Sequence, residues 1–204
     1  MSDLASDSQA ASPAAAQALS RRGFFNASSK LALSASALAL LGGKEVMAAG
    51  AGGDARRDTA ILNVALALEH EAINAYTLGA QSGLLQKPVL AVAVLFQSHH
   101  KAHRDALIAT IEKLGAKPVA EKTLNEYAEA LHANKIANQA DILMLAQRLE
   151  LGASNAYLSV IPALQDKELA KIAARLAADE TMHWTALSQA LGASLPGSAL
   201  SFGA

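Results

Sequence analysis

From residue 54 onward, apolar side chains return every three or four positions. Ile61, Leu62, Ala65, Leu66, Leu68, Ile73 and Tyr76 form one stripe, which predicts a first helix over 54–85. Gly83 and Pro88 punctuate a short turn, and Pro88 suits the first turn of a second helix over 88–114, stopped by Gly115. Residues 116–137 read as a long connection with a short helix around 124–132. A third helix is expected over 139–161, ending near Pro162. Asp166 can cap a fourth, with Glu168 favourable in its first turn, that runs to Leu191 before Gly192. Residues 193–204 carry no helical pattern. Short, long and short connections between four helices predict an all-α four-helix bundle with one long crossover between helices two and three.

The pattern also repeats. "LEHEAINAY" at 68–76 faces "LELGASNAY" at 149–157, with Leu, Glu, Ala, Asn, Ala and Tyr in common. "HHKAHRDAL" at 99–107 faces "DETMHWTAL" at 179–187, which pairs His103 with His183 and His99 with Asp179. Six identities in nine positions exceed what alanine-rich composition supplies. The bundle therefore reads as two copies of one helical hairpin, related by an approximate two-fold axis.

Composition narrows the chemistry. Aromatic residues make up 4% of the chain and the formal charge is −1, which points away from nucleic acid. Cysteine is absent, which removes disulfides, thiolate metal sites, iron–sulfur clusters and cysteine nucleophiles. Any metal must be held by imidazole and oxygen ligands.

Residues 1–50 read as a leader. Arg21 and Arg22 precede the short apolar run "LALSASALALLGG", and small residues follow at 46–53, where cleavage after Ala48 or Ala51 fits an A-x-A rule. The run is too short for a stable membrane anchor. Ser20-Arg21-Arg22-Gly23-Phe24 resembles the twin-arginine signal motif, with Phe25 where another large apolar residue is usual. The resemblance implies that the twin-arginine translocase exports the folded chain to the periplasm. The four-helix domain is expected over 51–192, with an irregular tail at 193–204.

Six ionisable residues interrupt the apolar stripes. Glu69 lies among Leu62, Leu66, Ile73 and Tyr76; Glu150 lies among Leu143, Ala146, Ala153 and Tyr157. His100 and His103 lie between Phe96 and Leu107; Glu180 and His183 lie between Leu176 and Leu187. A buried carboxylate costs several kcal/mol, on the order of an ion's desolvation penalty, unless something compensates. A divalent metal shared by carboxylates and imidazoles does so. Glu180 and His183 at i, i+3 share one helix face. One Glu from each of two helices plus Glu-x-x-His from the other two is the ligand set of ferritin-like di-metal bundles. On these residues the mature chain resembles a ferritin-like, rubrerythrin-type domain.

The resemblance implies a metal site at Glu69, His100, His103, Glu150, Glu180 and His183. It implies iron, with a di-iron centre favoured and manganese or zinc as alternatives. His100 departs from the pattern, since it stands where a glutamate is expected. Three carboxylates and three imidazoles replace four and two, which leaves open an altered dinuclear site, a mononuclear site, or no physiological metal. Implied chemistry is ferrous oxidation, or detoxification of peroxide or oxygen. The alternative is a metal-free helical module with a structural, stress-related or partner-binding role. An accessory subunit of a larger redox assembly is a third reading, and nothing in the pattern excludes a homo-oligomer.

Individual residues admit competing roles. Glu69 and Glu150 could close a buried salt bridge with Arg104 or Arg148. His99 is expected in solvent or behind the ligands, and His70 and Glu71 in solvent or between helices. Tyr76 and Tyr157 pack in the core or hydrogen-bond the glutamates, Asn74 and Asn155 join helices, and Trp184 packs between them.

Overall fold

The computed structural model of the chain describes residues 53–203, which fall within one compact unit. The twin-arginine motif and the leader lie outside the described residues. Five α-helices form: α1 Asp54–Gln81, α2 Lys87–Lys113, α3 Leu124–Ala130, α4 Gln139–Val160 and α5 Lys167–Ala190. Single 3-10 turns follow α3 at Ala133–Lys135 and α4 at Ile161–Ala163. No strand occurs among the described residues. The all-helical bundle of two hairpins, α1–α2 and α4–α5, matches the sequence pattern, and α1 also packs on α4 across the centre.

Local chemistry sets the boundaries. α1 ends four residues before the expected Leu85, because the chain turns at Gly83 with φ +72°. That left-handed conformation stops a helix and favours glycine. Pro88 occupies the first turn of α2, where its missing N–H costs nothing. Thr123 with Glu126 and Asn138 with Asp141 form capping boxes that start α3 and α4. Asp166 accepts from Glu168 N and caps α5.

The crossover follows α1. Asn63 donates to Lys117 O and accepts from Val119 N, Asn74 donates to Glu121, and Gln86 N donates to Gln139 Oε1. From Asn63 to Asn74 is about 16 Å of helix, so these pins hold the connection along the bundle's length. His70 and Glu71 are both buried where the crossover and α3 cover that side of α1, the interhelical of their two expected places. One expectation is corrected. Asn74 holds the crossover, and Asn155 holds the C-terminal tail by accepting from Gly203 N at 2.8 Å, so neither ties helix to helix. Phe202 of the tail packs edge-on against Trp184.

The apolar core is divided by the polar cluster. At the end where α1 begins, Leu62, Leu66, Leu107, Ile111, Leu169 and Leu176 pack around Tyr157. At the other end Ala93, Phe96, Leu143 and Leu187 surround Tyr76.

Candidate metal centre

Glu69, His100, His103, Glu150, Glu180 and His183 converge midway along the bundle, one or two from each long helix. Five are essentially sealed from solvent and His103 is 8% exposed. Heptad-like spacing on each helix aims them inward, and the two hairpins supply three each: Glu69, His100 and His103 from one, Glu150, Glu180 and His183 from the other.

His100 stands at the middle. Its Nδ1 lies 2.8 Å from Glu69 and 3.7 Å from Glu180, and its Nε2 lies 3.2 Å from Glu150. One ring thus touches carboxylates from α1, α4 and α5. His103 Nδ1 faces Glu180 at 3.2 Å and Glu69 at 3.6 Å. His183 Nδ1 faces Glu180 at 3.3 Å and Glu150 at 3.4 Å. Both histidines of the two-fold pair therefore turn the same nitrogen to the cluster.

Each of these two rings is held from behind. His103 Nε2 lies 3.1 Å from Asp179, and His183 Nε2 lies 2.9 Å from His99 Nδ1. Asp179 and His99 are equivalent positions of the repeat, so the pseudo-symmetry that relates the ligands also relates their supports. Such outer partners fix ring orientation and tautomer. His99 stands behind a cluster residue, as one of its two expected roles had it. Asp179 was overlooked as a contributor, although its alignment with His99 was the signal. The supports differ in charge: a carboxylate backs His103, whereas His183 is backed by an imidazole.

The tyrosines exchange hairpins. Tyr76 of α1 donates to Glu150 of α4 at 2.5 Å, and Tyr157 of α4 donates to Glu69 of α1. Both phenols are buried, and burial together with these carboxylates raises each pKa well above its usual value. They remain donors and so hold the glutamates in place. The arginine salt bridge does not form. Arg104 turns to Asp105 at 2.7 Å, and neither Glu69 nor Glu150 has a guanidinium among its partners.

Burial and ion pairing oppose each other in this cluster. Burial alone would raise Glu69, yet the imidazoles of His100 and His103 beside it bring it down to about 2. Glu150 is likewise held low against burial, by His100 and His183. Burial would lower the imidazoles, but Glu180 and Glu69 lift His103 to about 10, and Glu150 and Glu180 lift His100 and His183. Glu180 is the exception. Burial, together with the charges of Glu150 and Glu69, outweighs His100 and raises it to about 7. In the protonated state the three imidazoles balance the three carboxylates.

Two overlapping ligand sets emerge. Glu69, His100, His103 and Glu180 form one; His100, Glu150, Glu180 and His183 form the other. Within each set the donor atoms lie within 4.8 Å of one another, and each offers two carboxylates and two imidazoles. His100 and Glu180 belong to both. Two buried donor atoms, His103 Nδ1 and Glu180 Oε1, make no hydrogen bond although they lie 3.2 Å apart. Unsatisfied buried polar atoms facing one another are a structural cost that a cation between them removes. The residues present therefore fit a divalent metal.

Comparison with known proteins agrees with this fold. A solved structure of a conserved hypothetical protein, rv2844, from Mycobacterium tuberculosis shares the fold, with a TM-score of 0.56 and 23% sequence identity. The match covers 70% of this chain and 96% of that one. No curated protein matches. The family model described as "Ferritin-like domain" matches residues 57–193, which span all four long helices and the six clustered residues, and the chain belongs to that family.

Proposed function

We propose that the protein is an exported, rubrerythrin-type metal protein that binds iron at Glu69, His100, His103, Glu150, Glu180 and His183. Its activity is ferrous iron oxidation, coupled to removal of peroxide or oxygen. The observation that carries this reading is the pair of donor sets sharing His100 and Glu180, with His103 Nδ1 and Glu180 Oε1 buried 3.2 Å apart and outside hydrogen-bonding geometry. Bound iron supplies one-electron chemistry that side chains lack. The chain's own residues supply the rest. In the metal-free cluster Glu180, with a pKa near 7, exchanges a proton at neutral pH and would give it up as iron binds. Tyr76 and Tyr157 fix the two single glutamates. His99 and Asp179 fix the rings of His183 and His103, and the sealed helices exclude water. The resemblance of Ser20–Phe24 to a twin-arginine signal supports the periplasmic reading, since export after folding suits a chain loaded with metal beforehand.

His100 in a glutamate's place removes one negative charge. This favours divalent over trivalent ions at full occupancy, and it admits manganese or zinc as competitors. The test loads the full chain anaerobically with ferrous iron and then adds peroxide. Two electrons from two ferrous ions reduce one peroxide to water, so peroxide loss should track ferric absorbance at one per two irons. Glu150→Ala and His183→Ala should abolish both signals. Loss of peroxide at the rate of free ferrous iron in both variants and wild type would overturn the proposal.

A second reading has its own observation. The six side chains already close on one another as ion pairs, His100 with Glu69 at 2.8 Å above all. A balanced network of this kind can fix a helical module without metal. Here Glu150→Gln would unfold the protein equally with and without added metal.

A further inference from the structure

A cavity of about 270 Å³ occupies the end of the bundle opposite the packed Leu62–Leu176 core. All four long helices line it, and the lining is apolar almost throughout: alanines such as Ala72, Ala75 and Ala146, with Val89, Leu143 and Leu187. Its inner wall is made by Tyr76 and Phe96. Behind that wall lies the polar cluster, where Tyr76 donates to Glu150 and the Phe96 ring stacks on His183 at 4.1 Å between centroids. Residues that both line the cavity and meet solvent mark its mouth: Pro88 and Val92 on α2, Ala186 and Ala190 on α5.

The repeat shows how this end differs from the packed one. The same register that pairs Glu69 with Glu150 pairs Gly79, at the cavity, with Val160, packed in the other half. The register that pairs His103 with His183 sets Val89 against Leu169, and Val92 against Ile172. Leu66, buried in the packed half, corresponds to Gln147, which turns aside to donate to Ser188. At each of these positions the cavity half has the smaller side chain, or one drawn away. Both hairpins contribute to both ends, and the equivalent positions have diverged so that one end is packed with side chains and the other encloses space beside the cluster.

We propose that this cavity is a binding site for a small, uncharged, apolar molecule, seated against Tyr76 and Phe96. Size and chemistry set the class. A 150 Å³ apolar cavity holds benzene, so 270 Å³ holds a guest of about ten carbon atoms. Water is a poor guest without polar partners, and a charged group would lose its hydration with nothing in the lining to replace it. Apolar walls with their polar groups beyond one end are the common design of a small-ligand site. The guest's binding does not depend on a metal at the cluster.

The test is equilibrium dialysis of the full chain against naphthalene, with and without a chelator. One equivalent should bind in both conditions. Naphthalene-2-sulfonate should bind at least about tenfold more weakly, because its charge is not accommodated. Ala146→Phe fills the cavity from α4 and should cut naphthalene binding at least about tenfold. Ala93→Leu, which fills it from α2, should act in the same direction and replaces Ala146→Phe should that variant fail to fold. The proposal is overturned if the wild-type chain binds no naphthalene, if the sulfonate binds equally well, or if the folded filled variants bind like wild type.

Discussion

Loading the cluster with a divalent metal should expel a countable number of protons. In the metal-free state His103 holds its proton up to about pH 10, and His100 and His183 are raised by Glu150, Glu180 and their neighbours. Glu180, near 7, is half protonated at neutral pH. An imidazole nitrogen that binds a metal gives up its proton. Full occupancy at pH 7 should therefore release at least about two protons, one each from His100 and His103, with further release from His183 and Glu180 as far as they are protonated. Apparent affinity should climb steeply with pH, on the order of a hundredfold or more per unit near neutrality. Titration calorimetry with manganese, in buffers of different ionisation heat, counts these protons directly. His100→Ala should release about one fewer. Binding with fewer than about one proton released would refute the reasoning, because the metal would then be sitting away from the charged imidazoles.

The metal-free protein should respond to pH in the opposite sense. His103 has a folded pKa raised to about 10, so the stability it lends is complete below about 6.5 and is lost as pH rises through 10; Glu180 loses its share between 4.5 and about 7. Glu69 is lowered to about 2, so its share is present above 4.5 and lost as pH falls through 2. Melting scans of chelated protein should thus decline from pH 6.5 to 10, while metal-loaded protein gains over the same range; parallel curves would contradict the ion-pair account. Tyr157→Phe removes the donor to Glu69 and should cost about 1.5–3 kcal/mol in denaturant unfolding, and a loss under 0.5 kcal/mol would show the phenol to be dispensable. His99→Ala should weaken metal binding at the half that contains His183 by about tenfold or more, and Asp179→Asn should do so at the half that contains His103, both read by metal competition. Equal affinity in both variants and wild type would remove the proposed supports.

Much of this was legible in the sequence for physical reasons. Helical periodicity, Gly83, Pro88 and the Asp166 cap marked the elements to within a few residues, because apolar stripes and backbone punctuation are local signals. Glu69 and Glu150 stood out since a carboxylate on an apolar stripe demands compensation, and the repeat then linked them to His103 and His183. Other features depend on what lies across a gap. Position 71 could face solvent or another helix, and only the crossover, pinned by Asn63 and Asn74, decides that this side is covered. The reach of Asp179 to His103 depends on how far apart α2 and α5 stand, which no single helix encodes. The cavity arises from the difference between Gly79 and Val160, visible only after the hairpins are superposed.

The central claim is that the six convergent residues form a metal centre. Metal analysis of the full chain after anaerobic loading with iron or manganese tests it most directly. The account predicts up to two ions per chain, lost in Glu150→Ala and in His183→Ala. A chain that stays metal-free, and whose melting temperature rises when Glu150 and His183 are changed to Ala, would contradict it.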